Sequence, residues 1–187
     1  MDLSNIDNNI DNKINETHQE KENIEFSTYW TLWFHKIDDN NWLIDSYQKL
    51  YEIHTVKDYC ELINTIPTYE SGMFFLMKED IPPIWETGKN IGGGMWTFKV
   101  SKKKLDELWT DLIAHVLGNT LTTDAEEMNN INGISISPKI NNCIVKIWNS
   151  DEKKNDSNLL NPVIENGEDF LIEECKYRSH PKKNKNK

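Results

Sequence analysis

Two tryptophans stand where a hydrophobic core would not place them. Trp42 follows the polar run Asp38-Asp39-Asn40-Asn41, and Trp85 lies between Ile81-Pro82-Pro83-Ile84 and Glu86-Thr87-Gly88-Lys89-Asn90. A large aromatic on a polar loop more often offers its ring face to a ligand than to a core. The remaining five, Trp30, Trp33, Trp96, Trp109 and Trp148, fall on strand-like or helical stretches and read mostly as packing. Catalytic signals are absent around these platforms. Glycoside hydrolysis needs two opposed carboxylates, and only Glu86 stands out. Gly92-Gly93-Gly94 is not followed by Lys-Ser/Thr, and Gly88-Lys89 has no glycine five residues upstream, so neither forms a nucleotide-hydrolase loop. Cys60, Cys143 and Cys175 are far apart with no Cys-x-x-Cys pair, which argues against a zinc site or disulfide framework and favours reduced thiols in the cytosol. No metal or cofactor is expected. The residues point to binding rather than turnover.

The elements that must position these loops follow from hydrophobic period. Ser27-Thr28-Tyr29-Trp30-Thr31-Leu32-Trp33-Phe34-His35-Lys36 and Gln48 to Ile53 read as strands around the Trp42 loop. Thr55, with Asp58 three residues on, opens a helix carrying Val56, Tyr59, Cys60, Ile63 and Ile66 at helical spacing. Met73 to Lys78 and Met95 to Val100 are strands flanking the Trp85 loop. A longer helix is expected from an N-cap at Ser101 to about Leu117, with Leu105, Leu108, Trp109, Leu112, Ile113, Val116 and Leu117 on one face and Gly118 as its stop. Ile134 to Ser137 and Cys143 to Trp148 read as strands joined by a hairpin turn at Pro138-Lys139-Ile140-Asn141-Asn142, and Phe170 to Tyr177 as the last strand. Residues 151–166 allow a short helix that Pro162 interrupts. Strand pairs interspersed with two or three helices predict an α+β domain.

The chain has 187 residues and a formal net charge of −10. Such acidity excludes reliance on nonspecific attraction to phosphate, so any nucleic-acid target must be gripped through specific contacts. Residues 1–25, with seven acids against two lysines and no aromatic, read as a disordered tail. The domain is expected over 26–180, and 181–187 reads as a basic tail with four lysines. No apolar run of membrane-spanning length occurs, so no membrane partner is expected and the cytoplasm is the expected location.

Eight blocks occur in register: Tyr29-Trp30-Thr31-Leu32-Trp33-Phe34, Trp42, Thr55-Val56-Lys57-Asp58-Tyr59, Pro83-Ile84-Trp85-Glu86 with Lys89-Asn90, Gly92-Gly93-Gly94-Met95-Trp96, Leu108-Trp109, Lys146-Ile147-Trp148 and Tyr177-Arg178-Ser179-His180. Their order and spacing resemble the eukaryotic translation initiation factor 4E family, the messenger-RNA cap-binding proteins. The resemblance implies a curved antiparallel sheet with about three helices on its convex face and the cap held in the concave face. It implies that Trp42 and Trp85 sandwich a 7-methylguanine and that Glu86 accepts from the guanine N1–H and amine. Trp148 would touch the methyl group. Methylation at N7 makes the ring cationic, so two indole faces gain a cation–π contribution that plain guanine lacks.

Other positions depart from the family. Met95 and Ile144 stand where basic residues are usual, and Met73 where an acid is usual. Lys139 keeps a charge in place of an arginine but loses its bidentate fork. Lys146 shares a strand face with Ile144 and Trp148 if the strand is regular. Lys139 and Lys146 are therefore the expected phosphate pair. On the surface that in the family binds a helix of the 4G scaffold or of a repressor, Val56 is kept but Cys60 replaces a tryptophan. Thr110 and Ala114, beside Trp109, replace leucines. Loss of an aromatic anchor commonly costs over about 2 kcal/mol, so a 4G-like scaffold or repressor would meet an altered convex surface. The leading expectation is a non-enzymatic protein binding capped messenger RNA in translation initiation. The alternative is a cap-binding competitor that represses translation without recruiting the scaffold.

Overall fold

The computed structural model describes residues 24–66, 68–165 and 170–181. The tails expected over 1–25 and 181–187 lie almost wholly outside them. Among the described residues, seven strands form one antiparallel sheet: β1 (Glu25–His35), β2 (Gln48–Thr55), β3 (Met73–Lys78), β4 (Gly94–Val100), β5 (Ile131–Pro138), β6 (Cys143–Asn149) and β7 (Lys176–Ser179), ordered β2-β1-β3-β5-β6-β4-β7. Two α-helices accompany it, α1 (Val56–Thr65) and α2 (Leu105–Leu117).

Because side chains alternate along a strand, each face of the sheet can be read from the register. Leu32, Phe74, Leu76, Ile134, Ile136, Val145, Ile147, Trp96 and Phe98 point to one side. There they meet Leu105, Leu108, Trp109, Leu112, Ile113 and Val116 of α2 in the main core. The opposite, concave side carries a second, smaller cluster of Tyr47, Met73, Phe75, Met77, Ile81 and Trp148. A sheet apolar on both faces, but with helices on only one, leaves the second face available to support a site.

Helix α1 starts as its sequence predicts. The Thr55 hydroxyl accepts from Asp58 N–H at 3.2 Å, and the Asp58 carboxylate accepts from Thr55 N–H at 2.8 Å. Such a cap is worth about 1 kcal/mol. Burial opposes the Asp58 charge, yet hydrogen bonds from His54, Thr55 and the Thr55 side chain outweigh it and hold the carboxyl below its ordinary range.

Three expectations need correction. Ser101 does not cap α2; it accepts from Lys103 N–H at 3.3 Å and caps a 3-10 turn, Lys102–Lys104, and the helix begins at Leu105 with no side-chain cap. Of the short helix allowed over 151–166, the described residues 151–165 hold two single 3-10 turns instead, Ser157–Leu159 and Pro162–Ile164. The last strand is not Phe170 to Tyr177. Phe170 is buried in the core ahead of a turn, Ile172–Glu174, whose first residue Ile172 is buried as well, and β7 covers only Lys176–Ser179.

The glycine run does serve a turn. Gly92 has φ +82°, a left-handed conformation that favours glycine. At Gly94 a Cβ would lie 2.3 Å from the Tyr177 hydroxyl, so the close approach of β7 to β4 requires its absence.

Candidate functional site

Trp42 and Trp85 are 52% and 38% exposed, which fits platforms better than core. They reach the same place from separate loops. A cavity of about 420 Å³ on the concave face is lined by Trp42, Trp85, Glu86, Trp148, Lys139 and Lys146, over a floor that includes Tyr47, Met73 and Phe75. The structure thus brings together all six residues expected at the base and phosphate positions.

Each platform is held differently. The β1–β2 loop turns on Asn41, whose side-chain oxygen accepts from Leu43 N–H at 3.0 Å and whose amide donates to Asp45 at 3.1 Å. The Trp42 ring then lies parallel to buried His35, 4.6 Å between centroids and 2° between planes. The His35 ring nitrogens lie 2.8 and 2.7 Å from the carbonyl oxygens of Lys36 and Asn41. One face of Trp42 is therefore occupied by the protein.

The Trp85 loop hangs on Asn90, which is fully buried. The Asn90 amide donates to the carbonyls of Pro82 and Ile84 at 2.9 and 3.0 Å, immediately before Trp85. Its side-chain oxygen accepts from Asn132 at 2.9 Å, and its own carbonyl accepts from His180 Nδ1 at 2.7 Å. A carbonyl only accepts, so Nδ1 carries the proton. Burial pushes the His180 pKa down, reinforced by Lys146 and opposed by the Asn90 hydrogen bond and Glu86. The imidazole sits edge-on to Trp148 at 5.1 Å and 6.4 Å from Trp85.

Trp148 is 3% exposed and its ring is fixed by donation from Nε1 to Ser135 Oγ at 2.9 Å. Burial, with a contribution from Glu86, pushes the Tyr47 hydroxyl up to about 12, so it stays protonated beside the cavity. Desolvation, then Lys139 and Arg178, lower the Lys146 pKa. Lys146 does share the face of Ile144 and Trp148, because the β4–β6 register runs without a bulge.

Sequence reasoning missed Asn90, His180, Tyr47 and His35. The Lys89-Asn90 and Ser179-His180 blocks were visible, but nothing local says that one buried amide staples two loops. On the helical side, Val56 and Thr110 are half-buried, while Cys60 and Ala114 are exposed. Trp109 is 0% exposed inside the core, so its ring supports α2 and is not available to a partner.

A sequence model of the family described as eukaryotic initiation factor 4E matches residues 25–187. The Saccharomyces cerevisiae eukaryotic translation initiation factor 4E is 29% identical over 136 residues, 68% of this chain and 62% of the yeast protein. The Caenorhabditis elegans eukaryotic translation initiation factor 4E-3 is 30% identical over 142 residues, 70% of this chain and 55% of that protein. The chain thus spans less than two thirds of these relatives. Among solved structures, Ascaris suum eIF4E-3 in complex with an m2,2,7G cap superposes with a TM-score of 0.63 at 26% identity, covering 71% of this chain and 76% of that one. The Caenorhabditis elegans eIF4E-3 complex with the 4E-binding protein Mextli and a cap analog gives 0.63 at 27%, covering 70% and 76%.

Proposed function

Because the chain belongs to the eukaryotic initiation factor 4E family, we propose that it binds the 7-methylguanosine cap of messenger RNA in the concave cavity, as a non-enzymatic translation initiation factor. One observation carries the reading. Trp42, Trp85, Glu86 and Trp148, from three separate stretches of chain, line a single cavity that opens onto Lys139 and Lys146. The free face of Trp42 and the ring of Trp85 take the two sides of the methylated base. Glu86 accepts from its N1–H and amine, and backbone N–H of Trp85 donates to its carbonyl. Trp148 meets the methyl group. Lys139 and Lys146 neutralise the phosphates nearest the base. A carboxylate there makes charge-assisted bonds and rejects adenine, which lacks the donor pair.

The deciding measurement is retention on a 7-methylguanosine resin. Elution by 7-methylated but not plain guanine nucleotide is expected, and passage through the resin refutes the reading. Glu86→Gln refines it. The amide keeps one acceptor but cannot accept from both donors or offset the ring charge. Discrimination between methylated and plain guanine nucleotides is expected to fall more than nucleotide affinity in general. Equal loss for both ligands would remove Glu86 from its assigned role.

A second reading, a competitor that holds caps without recruiting a 4G-like scaffold, is favoured by the exposed, non-aromatic Cys60 and Ala114 on the helical face. A pull-down that recovers a scaffold-type helix bound there would count against it.

A further inference from the structure

His35 ends β1 with 0% of its surface exposed, face to face with Trp42. Its two ring nitrogens lie 2.8 Å from the Lys36 carbonyl oxygen and 2.7 Å from that of Asn41. Carbonyl oxygens only accept, so both contacts are hydrogen bonds only when both nitrogens carry protons, which is the imidazolium. A neutral ring would aim a lone pair at one of the two oxygens and leave that buried contact unpaired. His180, the other buried histidine of the site, is arranged differently. Its Nδ1 donates to the Asn90 carbonyl, and its Nε2 has no partner among the described residues.

The groups around this ring are the second observation. From β3, Met73 stands opposite His35. From the start of β2, Tyr47 lies tilted at 4.6 Å with its hydroxyl protonated, and Glu86 acts on that hydroxyl from the Trp85 loop. Within the β1–β2 loop, Lys36 and Asp38 are exposed, while the Asp39 and Asp45 carboxylates accept from the Asn41 N–H and side-chain amide at 2.8 and 3.1 Å. Among the described residues no carboxylate lies within 4 Å of the ring. A charge on His35 therefore acts chiefly on the Trp42 indole, stacked on it at 4.6 Å with 2° between planes. A cation on one face of an indole draws on the same electron density that would hold a cation on the other.

We propose that His35 is a specificity-determining residue acting from behind Trp42: as an imidazolium it disfavours a cationic base on the free face of that indole, and by giving up one proton it admits the base, so that binding of the methylated cap releases a proton. This rests on the cap reading of the cavity. The proton given up is the one on Nε2, because the Asn41 carbonyl keeps a second donor, the Ser46 hydroxyl at 2.6 Å. A base in contact with the free face of Trp42 would lie roughly 8 Å from the His35 ring. Repulsion between two unit charges at that distance corresponds to about 2- to 30-fold in affinity, from full water screening to that near a protein surface. Plain guanine is neutral and escapes it.

The test measures selectivity for 7-methylguanosine triphosphate over guanosine triphosphate in the full chain and in its His35→Phe variant, from about pH 5 to pH 8, the range in which histidine changes charge. Phenylalanine keeps a flat ring against Trp42 and takes no proton, and the ligands' own titration enters both proteins alike. The variant is expected to be about 2- to 30-fold more selective than wild type at the acid end of the range and equal to it at the alkaline end. Equal selectivity throughout overturns the proposal, as does a difference that does not change with pH, which would make His35 a packing residue. If neither nucleotide binds, the cap reading falls and the proposal with it. Nitrogen NMR of the wild-type chain supplies a check that does not depend on the variant's folding. Both His35 nitrogens are expected to carry protons in the free protein at the acid end, and Nε2 to lose its proton when 7-methylguanosine triphosphate is added. A lone pair on either nitrogen of the free protein there, or two protons kept in the complex, overturns the proposal.

Discussion

Trp85→Ala is expected to weaken binding of 7-methylguanosine nucleotides by about 1–3 kcal/mol, roughly five- to 150-fold, while the melting temperature hardly moves. The ring lies on a turn with over a third of its surface in solvent, so its removal takes little from the core. What is lost is one of two stacking faces and its attraction for a cationic base. Trp42→Ala should cost affinity in the same range but also lower the melting temperature, because the Trp42 ring covers His35. Fluorescence titration with a cap analogue, paired with thermal unfolding of both variants, separates the two effects. A fall of many degrees for Trp85→Ala would make that ring part of the core and remove it from the platform.

Asn90→Ala is expected to be the more damaging change to the fold. Its amide donates to two half-buried loop carbonyls, and its oxygen accepts from Asn132 in a buried bond. A buried group left without a partner costs about 1–3 kcal/mol, so losing several at once should lower stability by on the order of 3 kcal/mol. Cap affinity should fall further than that of any platform variant, because the turn carrying Trp85 and Glu86 loses its anchor. Asn90→Asp keeps an acceptor for Asn132 but turns oxygen toward two carbonyls, and should be no better. Urea unfolding gives the first quantity. An unchanged midpoint for Asn90→Ala would mean that the loop is held by other means.

These cases show where sequence reasoning works and where it stops. The apolar run of Met73–Lys78 and the β-branched and aromatic content of Cys143–Trp148 made the strands legible, and Thr55 with Asp58 announced α1, because these signals are local. Ser101 misled because the same hydroxyl that caps an α-helix caps a 3-10 turn equally well. Phe170 and Ile172 misled because buried apolar residues in irregular chain look like a strand when read alone. At the site, Trp42, Trp85 and Glu86 were visible as residue types out of place. Asn90 and His180 were not, since their work is done by hydrogen bonds between segments 90 residues apart.

The pairing order of the sheet bears on how the protein is made. β1, β2 and β3 can assemble as soon as they leave the ribosome, since each finds its neighbour within a short span. β4 cannot. Its partners are β6, which starts more than forty residues later, and β7, more than seventy-five residues later. At about 5–20 residues per second, the apolar residues Trp96, Phe98 and Val100 wait for seconds with both strand edges open. Over that interval the nascent chain presents an aggregation-prone segment, and a chaperone that shields β4 would act at the step where folding waits on synthesis.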